Sequence, residues 1–273
     1  MAAVGQPFEN TSRPTPGLVD IPHVSDAVPV SDAVPVTARV TSPASLLIAW
    51  QLDQKSVLIV GGGDVASGRL QHVLDAGARV ALVAPRDRLH PLTRSLVDSS
   101  DRITHHDRTY VPADLDGADM VLTAIDDVDV SRDIAVQSRA RRIPINVADD
   151  PSFCDFYFGS QIRQGPLQVM VSTNGKGPKL ANIIRQRIED SIPKGAGAAI
   201  DKVGVLREKL KSRAPGVGGE VSRKRMKWMV ELCTTWEMDE LALLDDEHME
   251  TLLEGWEDNV VLSAERVGLR SIA

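Results

Sequence analysis

The sequence has few cysteines and no long apolar run. Its 273 residues include only Cys154 and Cys233, which are too few for the disulfide framework of a small secreted protein. No apolar run approaches the ~20 residues that a membrane-spanning helix needs, and the N-terminus lacks the apolar core of a signal peptide. These absences predict a cytoplasmic protein without a membrane partner, in which both cysteines are reduced and buried.

Acidic side chains outnumber basic ones overall but are missing from one stretch. Asp and Glu exceed Lys and Arg by 38 to 31, a net charge of −7, which argues against a nucleic-acid partner. Residues 156–188 contain no acid at all. The bases in that stretch are Arg163, Lys176, Lys179, Arg185 and Arg187. A cationic segment within an acidic chain is either a solvated surface or a place where an anionic ligand binds.

The first 45 residues differ in composition from the remainder. They are rich in Pro, Ser, Thr and Val, and the hexamer Ser-Asp-Ala-Val-Pro-Val occurs at 25–30 and again at 31–36. Proline at this frequency blocks helices and central strands alike. Residues 1–45 are therefore predicted to be a disordered leader.

From residue 46 onward, short apolar runs alternate with amphipathic segments. The predicted strands are Val57–Val60, Val80–Val83, Met120–Ile125 and Ile143–Val147, with helices near residues 69–76 and 131–141. Strands that alternate with helices are typical of a parallel sheet with right-handed crossovers. The fold class is therefore predicted to be α/β, with a Rossmann-type parallel sheet domain over residues 46–150.

After residue 150 the pattern changes. Residues 153–158 are mostly aromatic and are expected to pack as a strand in the core or in a dimer, rather than to form a platform for a flat ligand. Leu167–Ser172 alternates like a half-buried strand. A helix is predicted from Pro178 to Ile192, with its apolar residues Leu180, Ile183, Ile184 and Ile188 facing the core. We predict a small strand-plus-helix dimerisation element at 151–195 and a helical C-terminal domain at 196–273. Glycine and proline are expected to interrupt the helices at 195–198, 215–216 and 218–219.

The most specific short motif lies between the first predicted strand and helix. Gly61-Gly-Gly-Asp-Val-Ala66 fits the G-x-G-x-x-A pattern of dinucleotide-binding loops. Gly61 permits the tight turn, Gly63 lets the backbone approach a pyrophosphate, and Ala66 allows close packing of the helix on the strand. The motif predicts a dinucleotide site at the helix N-terminus; a glycine turn that only packs is the alternative.

The residues themselves leave NAD and NADP open. An acidic residue about 20 positions after the glycines would bind the ribose hydroxyls, but the second predicted strand runs into Pro85-Arg86-Asp87. Arg86 would favour the 2′-phosphate of NADP, and Asp87 would bind the ribose of NAD if the loop folds back. The candidate cofactor-binding residues are Gly61, Gly62, Gly63, Asp64, Val65, Pro85, Arg86, Thr123 and Ala124.

Two further places carry candidate chemistry. Asp149 follows the predicted strand 143–147, at the edge where parallel sheets place their ligands; a turn aspartate ahead of Pro151 is the alternative. Residues 173–179 form a loop that opens a helix, whose N-terminal N–H groups lie beside Lys176 and Lys179. An anionic ligand or a solubilising helix cap would each explain that loop.

Several motifs together resemble those of a known family. They are Val60-Gly-Gly-Gly-Asp-Val-Ala66, Asn146-Val-Ala-Asp149, Phe153-Cys-Asp-Phe-Tyr-Phe158, Val171-Ser-Thr-Asn-Gly175 and Gly177-Pro-Lys-Leu-Ala181. In this order they resemble the siroheme synthase family, especially its fungal bifunctional precorrin-2 dehydrogenase/sirohydrochlorin ferrochelatases. The resemblance covers residues 46–192 well and the helical tail only in outline.

The resemblance implies a two-step activity in siroheme biosynthesis. Precorrin-2 loses a hydride to NAD+ and becomes sirohydrochlorin, and Fe2+, a substrate, is then inserted to give siroheme. The resemblance also implies a homodimer, and it makes NAD the expected cofactor. Asp149 is the expected catalytic residue, as a general base in both steps, and the tetrapyrrole is expected to contact Asn146, Thr173, Asn174, Gly175, Lys176 and Lys179.

Two alternatives remain. One is a dehydrogenase without chelatase activity, because a C-terminal histidine proposed to matter in the fungal relatives has no clear match around residues 237–247. The other is a non-catalytic regulator that binds NAD or a tetrapyrrole. The six histidines show no zinc spacing, so no resident metal is predicted. Thr173 stands where bacterial members have a serine that can be phosphorylated, and its modification stays an open question.

Overall fold

The structure is a computed structural model that describes residues 45–269. The predicted leader, apart from Ser45, lies outside the described residues, as do residues 270–273. The predicted domain boundaries at 150 and 195 stay predictions.

A five-stranded parallel sheet forms the first part of the described chain. Its strands are β1 (Ser56–Val60), β2 (Arg79–Val83), β3 (Ile103–His106), β4 (Met120–Thr123) and β5 (Ile145–Val147). They lie in the order β3-β2-β1-β4-β5, and every neighbouring pair is parallel. The crossovers carry helices α1 (Asp64–Asp75), α2 (Pro91–Ser99) and α3 (Val128–Ala140). The predicted α/β fold with a Rossmann-type parallel sheet is confirmed.

Each face of this sheet carries its own apolar core. Side chains alternate along a strand, so neighbouring residues of β1 point to opposite faces. Ile59 packs in the core that includes Leu70 of α1, whereas Leu58 packs in the core that includes Ile134 of α3. Both faces are thereby covered, as a parallel sheet requires.

The aromatic segment after β5 is not a strand, so that prediction is wrong. It begins with a 3-10 turn at Pro151–Phe153 and continues as irregular chain. Asp155 holds it to the exposed edge of β5, because its N–H donates to Ile145 O (2.8 Å) and its carboxylate accepts from Ile145 N (3.1 Å). Phe153 packs on the α3 side of the sheet, and Phe158 packs on the α1 side. The segment therefore covers the edge of the sheet.

The next element is a hairpin with one helix. Strands β6 (Ser160–Gln164) and β7 (Leu167–Val171) pair antiparallel, and α4 (Pro178–Ser191) packs on them. The strand and the helix agree with the predicted boundaries. The predicted burial is wrong for Leu180 and Ile184, which are 61% and 43% exposed. A two-stranded hairpin is too narrow to cover the apolar stripe of a 14-residue helix.

The final part is helical, as predicted. It contains α5 (Ala196–Arg213), α6 (Gly219–Thr235), α7 (Met238–Ala242) and α8 (Asp246–Glu254). Its core includes Leu206, Trp228 and Leu252. Cys233 on α6 is exposed, contrary to the prediction, and Cys154 is half-buried. Among the described residues, no helix is both long and apolar enough to cross a membrane.

Candidate functional site

The candidate site lies at the carboxyl edge of the parallel sheet. The chain runs from β1 to β2 on one side of β1, whereas β4 pairs on its other side. In doubly wound sheets the ligand crevice opens where the strand order reverses in this way. The loop Gly61–Gly63 follows β1 and lies at that position, beside the ends of β2 and β4.

Two glycines of the loop have distinct structural roles. Gly61 has a φ of +116°, and a Cβ atom there would lie 2.1 Å from Ala124 O, so only glycine fits between β1 and β4. A Cβ on Gly63 would meet nothing within 4 Å, so the backbone of Gly63 faces open space. Gly61 therefore allows the turn, and Gly63 leaves room for a ligand against the backbone.

The N-terminus of α1 presents free N–H groups next to that open space. The first intrahelical bond runs from Ser67 N to Gly63 O (3.0 Å), so the N–H groups of Asp64 and Val65 have no intrahelical acceptor. The Asp64 side chain is 90% exposed and is therefore solvated. Gly62 O accepts from His90 N (2.8 Å), which ties the loop to the start of α2. This arrangement suits a phosphate group.

The end of β2 holds Pro85 and Arg86. The Arg86 guanidinium donates to Asp98 (2.8 Å), and the Arg86 N–H donates to the Asp107 carboxylate (2.7 Å). The positive charge that would select a 2′-phosphate is thus already paired with an acid.

The end of β4 places its two candidate residues differently. Thr123 is fully buried, and its hydroxyl has no hydrogen-bond partner among the described residues, so its side chain does not reach the crevice. Ala124 is half-buried; its N–H donates to Val60 O (2.8 Å), and its carbonyl lies against Gly61. The contribution of this strand end to the crevice is therefore the backbone at Ala124.

Two neighbouring aspartates after β5 have opposite environments. Asp150 accepts from Ser152 and from Arg132 (2.9 Å), and these bonds hold the pKa of its carboxyl below the usual range. Asp149 is exposed, has a φ of +61°, and accepts no hydrogen bond within residues 45–269. Because both carboxylate oxygens of Asp150 accept hydrogen bonds, Asp149 is the one of these two aspartates that remains available.

Asn146 lies beneath the surface and has a structural role. It is 3% exposed, and its amide donates to Phe156 O (2.7 Å) and contacts Cys154 Sγ (3.4 Å). Cys154 in turn donates to Val147 O (3.1 Å), and burial raises the pKa of its thiol. Asn146 thus fixes the aromatic segment next to Asp149, and its side chain does not meet the solvent where a substrate would lie.

The predicted anion-binding loop follows β7. Thr173 Oγ1 accepts from Gly177 N (3.1 Å), which closes the loop, and Asn174 and Gly175 have positive φ angles of 52° and 77°. Asn174 also accepts from Ser45 Oγ (2.6 Å). Lys176 and Lys179 are exposed and make no ion pair among the described residues. The loop therefore offers two free ammonium groups at the N-terminus of α4.

One charged residue near the site was not predicted. Arg69 lies on α1 with its Nε and Nη1 atoms buried and without a partner in the described chain, and its guanidinium carbon is 4.8 Å from the centre of the Phe158 ring. Arg69 is three positions after Ala66 and four before Val73, which are both buried on α1. Because residues three or four apart share a helix face, this spacing was the sequence signal that Arg69 faces the sheet.

A cavity in the helical region lies away from this edge of the sheet. It has a volume of about 670 Å3, lies between α5 and α8 and is lined by residues such as Lys209 and Glu250, which form an ion pair (2.9 Å). No group of three or more His, Cys, Asp or Glu side chains that could hold a metal occurs within residues 45–269.

Family models match three consecutive parts of the chain. Residues 48–160 match a model described as putative NAD(P)-binding. Residues 164–191 match the model of the sirohaem biosynthesis protein central region, and residues 193–262 match that of its C-terminal region.

Similar proteins agree with these matches. The siroheme biosynthesis protein met8 of Schizosaccharomyces pombe is 50% identical over 210 residues, which cover 77% of this chain and 78% of that protein. A siroheme synthase of Methylobacillus flagellatus is 40% identical over 170 residues, 62% of this chain but only 36% of that protein. The solved structure of SirC, a precorrin-2 dehydrogenase, has a TM-score of 0.57 at 19% identity and covers 82% of this chain and 98% of that one. At that identity the likeness concerns the fold.

Proposed function

The chain belongs to the siroheme biosynthesis protein family, and we propose that it acts in that pathway as an NAD-dependent precorrin-2 dehydrogenase and a sirohydrochlorin ferrochelatase. In the first reaction precorrin-2 gives up a hydride and a proton and becomes sirohydrochlorin. In the second, Fe2+ enters sirohydrochlorin as a substrate, and two pyrrole N–H protons leave.

The observation that carries this proposal is the position of the glycine loop beside an unengaged carboxylate. Gly63 leaves open space at the N-terminus of α1, and Asp149 lies at the same edge of the sheet without a partner in the described chain. A dinucleotide and a general base are the two things that this dehydrogenation needs.

The residues at the carboxyl edge fit the cofactor. The N–H groups of Asp64 and Val65 and the backbone of Gly63 would hold its pyrophosphate. The pairing of Arg86 with Asp98 (2.8 Å) supports NAD rather than NADP. When bound, NAD+ supplies the acceptor for the hydride.

Asp149 is the proposed general base. Its exposed carboxylate takes the proton that dehydrogenation releases, and in chelation it takes protons from the pyrrole nitrogens. Asn146 is proposed to act through the aromatic segment that it holds, so it is a positioning residue rather than a direct contact.

The loop before α4 is the proposed contact for the substrate carboxylates. The tetrapyrrole carries eight carboxylate groups, and such a polyanion needs clustered cations and free N–H donors. Lys176 and Lys179 are exposed beside the N-terminus of α4, so both kinds of donor are present there. Thr173 and Gly175 shape the loop and would keep these donors in place.

A homodimer is the proposed assembly. Leu180 and Ile184 on α4 and Leu46 and Ile48 in the segment before β1 are all exposed, at 61%, 43%, 85% and 64%. Exposed apolar side chains concentrated in this way are typical of protein interfaces. The element between the sheet domain and the helical region would then pair with its copy.

The direct test is turnover of precorrin-2 with NAD+, followed by the absorbance of sirohydrochlorin. We expect Asp149→Ala to lower the rate by about 10²–10⁴-fold, the usual contribution of a general base. Asp101→Ala is a matched control, because Asp101 is exposed and precedes β3 at the opposite edge of the sheet. An unchanged rate in Asp149→Ala would show that the base is another group.

The cofactor site has its own test. Gly63→Asp places a negative charge where the pyrophosphate is expected, while its Cβ meets no protein atom within 4 Å. The variant should fold normally and lose NAD+ affinity in a calorimetric titration. Normal affinity would exclude this loop as the pyrophosphate site.

The chelatase step is separated by a second assay. Purified sirohydrochlorin and Fe2+ are followed with and without the protein, and the spontaneous rate is subtracted. Acceleration supports the bifunctional enzyme, and its absence alongside dehydrogenase turnover supports a dehydrogenase alone. A protein inert in both assays that still binds NAD+ would be the non-catalytic regulator.

A further inference from the structure

Two side chains of α1 lie against one aromatic ring next to the candidate site, and a third, from β6, acts on one of them electrostatically. The Arg69 guanidinium carbon is 4.8 Å from the centre of the Phe158 ring, and the His72 ring stacks on Phe158 with 6.0 Å between centres. Both residues lie on the same face of α1, because they are three positions apart. Arg163 on β6 is close enough to His72 that its charge, after burial, lowers the His72 pKa. We call Arg69, His72 and Arg163 the Phe158 cluster.

Six cations of the sheet domain are paired with an acid, and the Phe158 cluster is not among them. Around the five-stranded sheet the paired cations are Lys55 with Asp119, Arg86 with Asp98, Arg108 with Asp114, Arg132 with Asp150, Arg139 with Asp155 and Arg141 with Asp116. No member of the Phe158 cluster makes an ion pair with any acid in residues 45–269. Within the described residues, Asp75 and Asp149 act on the cluster electrostatically but do not form an ion pair with it.

Arg69 is the member of the cluster whose donors lack a partner in the described chain. Its Nε and Nη1 atoms are buried without an acceptor among the described residues, and a buried charged donor without a partner destabilises the fold. Burial lowers the pKa of Arg69, and the charge of Asp149 is among the groups that oppose this effect. The guanidinium thus lies within electrostatic range of the proposed base, and it lacks an anion.

We propose that the Phe158 cluster is a carboxylate-binding subsite for the tetrapyrrole, with Arg69 as its main donor. The inference rests on the proposed function, since it deepens the account of how the polycarboxylate is held. A carboxylate at the periphery of the macrocycle supplies the acceptor that Arg69 lacks, and Arg163 adds charge from the β6 side. Arg69 is only partly exposed, so the proposal requires a rotation about its side-chain bonds that brings its nitrogens to the ligand.

This subsite differs from the loop that holds Lys176 and Lys179. The Phe158 cluster lies on α1 and β6, beside Asp149, whereas the two lysines lie at the start of α4. In the proposal, carboxylates on different sides of the macrocycle contact the two places. Two separated cationic contacts would fix the orientation of the ring relative to Asp149, which one contact alone does not.

The test uses the full chain and two stable probes, uroporphyrin III and its octamethyl ester, which differ in their eight carboxylate charges. Binding is followed by quenching of tryptophan emission, to which Trp50, 5.9 Å from Phe156, contributes. We expect Arg69→Gln to weaken uroporphyrin binding by about tenfold, as for one charge-assisted hydrogen bond. Arg163→Gln should weaken it by about threefold, because Arg163 is exposed. Ester binding should change in neither variant, and Arg69→Lys should restore part of the loss.

Arg79→Gln is the matched control, because Arg79 begins β2 at the opposite edge of the sheet and only hydrogen-bonds to Gln54 (3.1 Å). NAD+ affinity reports folding of each variant, and Arg163→Gln covers the case in which Arg69→Gln fails to fold. In turnover, Arg69→Gln should raise the KM for precorrin-2 more than it lowers kcat.

Uroporphyrin affinities of Arg69→Gln and Arg163→Gln equal to that of Arg79→Gln would overturn the subsite, even if wild-type turnover upholds the proposed function. A wild-type protein that does not turn over precorrin-2, but whose uroporphyrin affinity still depends on Arg69, would overturn the dehydrogenase and leave the subsite standing.

Discussion

Helices α1 and α4 begin alike but differ in how much of their apolar stripe is buried. Each follows a strand and a glycine-containing loop, and each carries an apolar stripe at helical spacing. On α1 that stripe is buried, with Leu70 fully covered and Leu74 5% exposed. On α4 only Ala181 is buried, and Leu180 is 61% exposed.

The difference lies in what each helix packs against. Helix α1 lies on a five-stranded sheet, whereas α4 lies on a two-stranded hairpin. The wider sheet covers a whole apolar stripe, and the hairpin covers a part of one. Helical periodicity thus shows that a face will be buried, and it does not show whether the partner lies in the same chain.

The largest expected effect compares the two stripes directly. Leu70→Ala opens a cavity in a complete core and should lower the free energy of unfolding by about 2–5 kcal/mol. Leu180→Ala should change it by no more than about 0.5 kcal/mol at protein concentrations where the chain is monomeric. Urea unfolding of both variants at low concentration provides the measurement. Equal losses would mean that the α4 stripe is covered within its own chain.

The next prediction concerns the partner of α4. Ile184→Lys places a charge in the exposed stripe and should convert the proposed dimer into monomers, as seen by light scattering after gel filtration. Gln186→Lys is the matched control, because it adds the same charge at an exposed position on a different side of α4. A dimer that survives Ile184→Lys unchanged would place the interface elsewhere.

A smaller effect is expected from a pair within the sheet domain. Arg108 donates two hydrogen bonds to Asp114, at 2.8 and 2.6 Å, and these hold the pKa of the Asp114 carboxyl below its usual range. A lowered pKa stabilises the fold above the unfolded value of about 4, and this contribution is lost as the pH falls through the lowered pKa.

Asp114→Asn should therefore destabilise the fold by about 1 kcal/mol at pH 7, a modest value because Arg108 is 40% exposed. The difference from wild type should shrink below about pH 4. Asp116→Asn serves as the comparison, since Asp116 is 74% exposed and lies 3.8 Å from Arg141. A pH-independent loss in Asp114→Asn would assign its effect to packing.

The smallest effect is expected on the loop before α4. Lys176→Gln should leave the free energy of unfolding within about 0.5 kcal/mol of wild type, because Lys176 is exposed and unpaired among the described residues. It should nevertheless weaken uroporphyrin binding. A loss of stability without a loss of affinity would favour the solubilising cap over the anion site.

Much of the sheet domain was predictable because its rules are local. The strand at 57–60, the three glycines and the helix after them follow from hydrophobic runs and turn chemistry. The aromatic segment 153–158 was not predictable in the same way, since its residues pack on both faces of the sheet by passing around its edge. That path depends on Asp155, which binds the edge of β5, and no local pattern reveals it.

The candidate site divides in a similar way. The sequence identified Asp149 but did not distinguish it from Asp150 by chemistry; the distinction comes from Arg132, 18 positions away, which engages Asp150. It placed Thr123 and Asn146 among the ligand contacts, yet both are buried. Burial depends on what the rest of the chain places above a residue.

Periodicity, backbone freedom and charge are properties of neighbouring residues, so the sequence alone predicted four of the five sheet strands, the glycine loop and the acid-free stretch. Only the tertiary structure decided which cations are paired and which remain free, because pairing joins residues that are distant in the chain. Arg86 was one of the cations that the sequence predicted for a ligand, and in the structure it is paired with Asp98. Arg69 was not identified from the sequence, and its Nε and Nη1 atoms are buried without a partner among the described residues.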